Sequence, residues 1–138
     1  DSRFEKESFD RILFIESLGY SNNISKILST CYNILNKDGL IYIRAITAPY
    51  TKSNFIKGNI QNIEKKIDCN LLYHENIIFY LQQAGFNKIK YSSIPLIFSE
   101  NYSNPFFIVP LLRYKLFNFS NMYTTLTINE CMYVASKE

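Results

Sequence analysis

Three polar side chains of kinds that hold ligands or accept protons, Glu16, Ser17 and Tyr20, follow directly on an unbroken apolar run at residues 12–15. A carboxylate can meet a cationic group or act as a general base, and a phenol can take the second role. The run that precedes them lacks polar alternation, which predicts a strand covered on both faces, the kind found in parallel sheets flanked by helices. Ligands of open α/β sheets bind at the carboxyl ends of such strands, and that is where Glu16 and Ser17 fall.

The elements that would position these residues can be read in order. Residues 1–8 are charged and read as an approach loop, and residues 9–16 form the first strand. After the Leu18-Gly19-Tyr20 turn, Ser21, Asn22 and Asn23 offer N-cap oxygens to a helix at about 24–36, whose Ile24, Ile27, Leu28, Cys31 and Leu35 share one face. Asn36-Lys37-Asp38-Gly39 reads as a turn with Gly39 at positive φ, leading into a second strand at 40–46. A strand, a helix and a strand in this order make a right-handed crossover between parallel strands. Arg44 interrupts the second run, so that strand is bent or has one partly accessible face. Residues 51–70 read as a mobile loop with a weak helix, and a helix at about 74–84 ends at Gly85 before a third strand at 87–91. Residues 94–127 break the rhythm with an aromatic run containing Pro110, and a last strand is predicted at 129–136.

Composition bounds the class. With 138 residues, 47% hydrophobic and 20% charged, the chain is sized for one domain with a real core. Its 15 basic and 12 acidic residues are scattered, so no nucleic-acid footprint is predicted. Cys31, Cys69 and Cys131 are widely spaced and there is one histidine, His74, which argues against zinc and disulfide frameworks and for buried reduced thiols in a cytoplasmic protein. His74 reads as an ordinary residue at a helix start, and no apolar run reaches the ~20 residues of a membrane span.

The order of these features resembles the carboxyl half of a class I S-adenosylmethionine-dependent methyltransferase, from its fourth strand to its seventh. Glu16-Ser17-Leu18-Gly19-Tyr20 resembles the segment after the fourth strand, which in cyclopropane-synthase and sterol types often reads Glu-x-x-x-His, with Tyr20 in the histidine's place. Leu35-Asn36-Lys37-Asp38-Gly39 is similar to the family's Leu-Lys-Pro-Gly-Gly turn, and Gln83-Ala84-Gly85-Phe86 to its Ala-Gly-Phe element before the sixth strand. The Gly-rich loop and the ribose-binding acid that follow the family's first two strands have no counterpart.

The resemblance implies an α/β fold: half of a Rossmann-like three-layer sheet with strands equivalent to 4-5-7-6, mostly parallel with an antiparallel last strand. Residues 1–138 would be a single partial domain, with 94–127 an insertion or cap. The implied function is methyl transfer from S-adenosyl-L-methionine to a small organic acceptor. Glu16 and Tyr20 are the catalytic candidates; Ile15, Glu16 and Ser17 would lie by the cofactor; Tyr50, Phe55, Phe106 and Phe107 would line the acceptor site. An amino-terminal half, or a partner chain, is expected to pair with strand 9–16, because an open apolar edge is a template for other chains. The rival expectations are a non-catalytic methyltransferase-like partner and an unrelated doubly wound domain.

Overall fold

The computed structural model describes residues 4–48, 50–95 and 129–138. Strand β1 (Phe9–Ile15) leads through a short 3-10 turn (Leu18–Tyr20) to helix α1 (Ile24–Ile34), then to strand β2 (Leu35–Ala48). Helix α2 (Asn54–Ile67), a two-residue strand β3 (Leu72–Tyr73), helix α3 (His74–Ala84) and strands β4 (Lys88–Pro95) and β5 (Asn129–Ser136) follow. The sheet runs β1-β2-β5-β4, with β1 parallel to β2 and β5 antiparallel to both its neighbours. This is the predicted 4-5-7-6 order.

Local chemistry accounts for the helix ends. Asn23 caps α1, its side-chain oxygen accepting from the Lys26 amide at 2.9 Å, and Ser53 does the same for α2 through Ile56. Gly85 closes α3 at φ 109°, and a Cβ there would lie 2.9 Å from the Tyr32 ring. Residues 51–70, expected as a loop with a weak helix, instead hold a regular helix. Its Ile60 and Ile63 pack on Ala48 and Leu71, and that tertiary contact outweighs the polar composition.

Strict alternation along the central strands sorts the sheet into two faces. Ile41, Ile43 and Ala45 of β2 and Cys131, Tyr133 and Ala135 of β5 are buried beneath Leu28 and Cys31 of α1 and Ile77 and Leu81 of α3. The opposite face carries Leu13 and Ile15 of β1, Tyr42 and Arg44 of β2, and Met132 and Val134 of β5. Leu13 is 62% exposed and Ile15 61%. Among the described residues, α1 and α3 both lie on one side of the sheet and β1 forms its edge, so the expected cover of residues 12–15 is present on one face there.

Two smaller corrections concern turns. The left-handed residue before β2 is Asp38 (φ 62°) and not Gly39, and α1 passes into β2 at Leu35 without an intervening loop. Gly39 is needed for proximity instead, since a Cβ there would come 2.8 Å from the Asn36 carbonyl oxygen. The third strand extends to Pro95, beyond the predicted 91, because β5 pairs with it along its whole length.

Cys31, Cys69 and Cys131 are free thiols, and Cys31 and Cys131 are buried as expected. Burial pushes the Cys31 thiol from 9.0 up to about 11, and burial likewise raises the Tyr133 phenol. The folded state favours both neutral forms, so their contribution is complete below pH 9 and is lost as pH rises through 9 to 11 and beyond. The midpoint of urea unfolding is accordingly expected to be level between pH 7 and pH 8.5 and to fall above pH 9, and a midpoint that holds steady to pH 11 would contradict this.

Candidate functional site

The site begins with a change of partner along one edge of β2. That edge pairs with β1 as far as Ile15 opposite Arg44, and with β3 from Leu72 opposite Thr47. Neither ladder takes in Ala45 and Ile46 on that edge. The gap opens at the carboxyl ends of two parallel strands, a crevice of about 170 Å³ lined by Glu16, Gly19, Tyr20, Ala45, Ile46 and residues 69–72. It shares Gly19, Tyr20, Cys69 and Asn70 with a wider, open hollow of about 770 Å³ bordered also by Asn22, Gln61, Glu64, Lys65 and Asp68.

Glu16 leaves β1 in the left-handed region, φ 53°, a conformation that costs a non-glycine residue on the order of 1 kcal/mol or more. Two contacts hold it there. Its amide donates to the Arg44 carbonyl at 2.8 Å, and its carboxylate lies 3.4 Å from the Arg44 guanidinium. Arg44 in turn donates from Nε to Glu130 Oε1 at 2.5 Å, with the Glu130 side chain only 10% exposed. One guanidinium thus bridges the exposed carboxylate at the crevice and a nearly buried one on β5.

The floor depends on Gly19. A Cβ there would sit 2.5 Å from the Asn70 carbonyl oxygen and 2.6 Å from Cys69 Sγ, so only glycine lets the 3-10 turn dock on residues 69–70. The Asn70 amide donates to the Gly19 carbonyl at 3.2 Å, and the Leu71 amide to Glu64 Oε1 at 2.9 Å. Burial first, and the nearby carboxylates of Glu64, Asp68 and Glu16 after it, hold the Cys69 thiol above its ordinary value, while a Tyr20 hydrogen bond pulls the other way. Cys69 thus lines the crevice with its thiol form favoured.

Of the residues singled out from sequence, Glu16 and Tyr20 line this crevice together, with exposed Ser17 between them. Ile15 points away, onto the bare sheet face. Tyr50 and Phe55 are exposed and line neither hollow; Tyr50 meets Tyr73 edge-on at 6.3 Å. Phe106 and Phe107 lie outside the described residues. Cys69, Asn70 and Arg44 were not anticipated, although Asp68-Cys69-Asn70 ahead of Leu71-Leu72 had the composition of a turn at a strand's mouth. His74 belongs elsewhere, accepting or donating through Nδ1 to the Tyr133 hydroxyl at 2.8 Å and packing on Tyr91. Among the described residues no cluster of His, Cys, Asp and Glu could hold a metal ion, and no helix is long and apolar enough to cross a membrane.

No protein-family profile and no curated protein matches the sequence. Solved structures do match. The chain is similar to phosphoethanolamine N-methyltransferase 2 of Haemonchus contortus, in complex with S-adenosylhomocysteine, at 17% identity and a TM-score of 0.70 over 98% of this chain and 34% of that one. A putative sarcosine dimethylglycine methyltransferase from Galdieria sulphuraria aligns at 14% identity and a TM-score of 0.73, over 100% of this chain and 56% of that one. Geranyl diphosphate C-methyltransferase from Streptomyces coelicolor aligns at 12% and 0.70, over 100% and 51%. At these identities the likeness concerns the fold, which is that of part of a class I S-adenosylmethionine-dependent methyltransferase. The chain spans between about a third and just over half the length of these three proteins.

Proposed function

We propose that this chain supplies the carboxyl half of a methyltransferase domain that binds S-adenosyl-L-methionine and methylates a small organic acceptor. The observation that carries the reading is the crevice where parallel β1 and β2 end, with the Glu16 carboxylate at its mouth. Its residues fit such a cofactor on one side. Gly19 and Ala45 keep the floor low, and Glu16 offers negative charge to a cationic group. At about 170 Å³ the crevice is smaller than the ~300–1,000 Å³ of a complete small-molecule site, so further walls are required. An amino-terminal half pairing with the open edge of β1 would provide them.

The bound cofactor would supply an electrophilic methyl group that is already activated. What remains for the protein is placement and exclusion of water. Glu16, fixed by Arg44, orients the ligand together with Ser17 and the backbone of Ile15, whose side chain faces away, and Tyr20 beside the crevice is placed to orient the acceptor or take its proton. Tyr50, Phe55, Phe106 and Phe107 are proposed to border the acceptor. Three free thiols suit a reducing compartment, and the cytoplasm is proposed. A non-catalytic methyltransferase-like subunit is the second reading, favoured by Tyr20, which stands where the resembled Glu-x-x-x-His segment has its histidine.

Calorimetric titration of S-adenosylhomocysteine into the native-length protein separates the two. Binding is expected, and Glu16→Gln is expected to weaken it about tenfold to a hundredfold, the value of roughly 1.5–3 kcal/mol for a charge-assisted contact. Absence of binding to the native-length protein rejects the enzyme reading, and an unchanged affinity in the variant removes Glu16 from the site.

A further inference from the structure

Arg44 is a charge set in an apolar neighbourhood. It lines one hollow with Leu13, Ile15, Tyr42, Met132 and Val134, and Glu130 reaches it diagonally across the β2-β5 ladder, from the position paired with Ile46. Well-packed apolar residues often replace a pair of this kind at no cost, so stability is a weak reason for it. The two carboxylates hold the guanidinium unequally. Nε meets Glu130 at 2.5 Å, with the Glu130 side chain 10% exposed, whereas Nη2 stands 3.4 Å from Glu16, whose side chain is 43% exposed. Attraction grows as distance and local dielectric fall, so the charge of Arg44 goes mainly to Glu130. The Glu16 contact is longer than the ~2.7–2.9 Å of a charge-assisted hydrogen bond, and the Glu16 amide, tied to the Arg44 carbonyl, keeps the residue at the crevice.

We propose that Glu130 is a positioning residue for the reaction: by occupying Arg44 it leaves the negative charge of Glu16 available to the cationic sulfonium of S-adenosyl-L-methionine. The inference rests on the cofactor reading above and adds a residue outside the crevice that governs the crevice's charge. Two carboxylates on one guanidinium leave one negative charge over. Without the charge of Glu130 the sum is zero, and Arg44 is released to pair closely with Glu16 and to compete with a cation at the mouth. Cofactor and product differ at this point. When the methyl group passes to the acceptor, the electron pair of the broken C–S bond stays on sulfur, and the sulfonium becomes a neutral thioether. A Glu16 whose charge is not spent therefore favours S-adenosyl-L-methionine over S-adenosylhomocysteine, which suits release of the spent cofactor.

Separate calorimetric titrations of S-adenosyl-L-methionine and S-adenosylhomocysteine into the native-length protein test the proposal, because the ratio of the two affinities follows charge, whereas a loosened fold weakens both alike. Glu130→Gln, which keeps the shape and an accepting oxygen, is expected to lower the preference for S-adenosyl-L-methionine about tenfold, the low end for one charge-assisted contact. Arg44→Met combined with Glu130→Met removes one charge of each sign and is expected to keep the ratio of the unaltered protein, even where both affinities drop through a looser Glu16. Equal losses for both ligands in Glu130→Gln make Glu130 purely structural, and a ratio that falls in the double variant removes charge as the cause; either overturns the proposal and leaves the methyltransferase reading standing. Absence of binding of both ligands to the unaltered protein overturns that reading and the role of Glu130 with it.

Discussion

Replacing Arg44 by methionine is expected to destabilise the protein by about 3 kcal/mol, the lower end of the range for breaking a buried ion pair, because the Glu130 carboxylate stays in the sheet without its guanidinium. The lower end is chosen because the Arg44 side chain remains 26% exposed and water can reach part of the vacated space. Arg44→Met combined with Glu130→Met is expected to recover most of the loss, since the desolvated charge is then gone as well. Glu16→Gln alone is expected to cost less than about 1 kcal/mol, as its carboxylate is 43% exposed and its contact with Arg44 is long. Urea unfolding of the four proteins decides the matter: a double variant no more stable than Arg44→Met would show that the pair is not the source. The small cost at Glu16 also makes its binding test readable, because affinity can change there without the fold being lost.

Phe86→Ala carries an effect of similar size by a different route. Phe86 is fully buried, packs edge-on against Tyr32 at 5.1 Å, and its amide donates to the Leu81 carbonyl at 3.1 Å just beyond Gly85. Its ring fastens the end of α3 to α1, so truncation opens a cavity where the two helices meet the sheet. About 3–5 kcal/mol is expected, a large share of the ~5–15 kcal/mol that holds an ordinary domain together. A loss below about 1 kcal/mol on urea unfolding would mean that the site collapses around the smaller side chain. The Ala-Gly-Phe sequence is thus explained locally as a helix stop followed by an anchor.

What the sequence disclosed follows a physical line. The apolar face of α1, the stop at Gly85 and the limits of β5 at 129 and 136 are set by neighbours in the chain, and each was legible. The strand order was legible only through the likeness of several short segments taken together. Contacts across long separations were not: Arg44 reaches Glu130 over 86 residues, and His74 reaches Tyr133 over 59. Strand β3, two residues long, has no periodicity to read. At the site, Glu16 and Tyr20 could be named because they follow a strand, while Cys69 and Asn70 enter only through the docking of Gly19. The exposure of Leu13 and Ile15 departs from their apolar pattern, and that conflict between pattern and surroundings directs attention to the bare face.

The central position of β5 also bears on how the protein is made. Strand β5, the last of the described strands in chain order, lies between β2 and β4, and β4 has no other partner among them. At roughly 5–20 residues per second, β2 waits on the order of ten seconds between its own emergence and that of β5. The β1-β2 pair can therefore form early, whereas β4 cannot join it until β5 has emerged. The middle of the sheet closes only when β5 arrives, and a chain that stops short of Asn129 carries β4 as a detached strand.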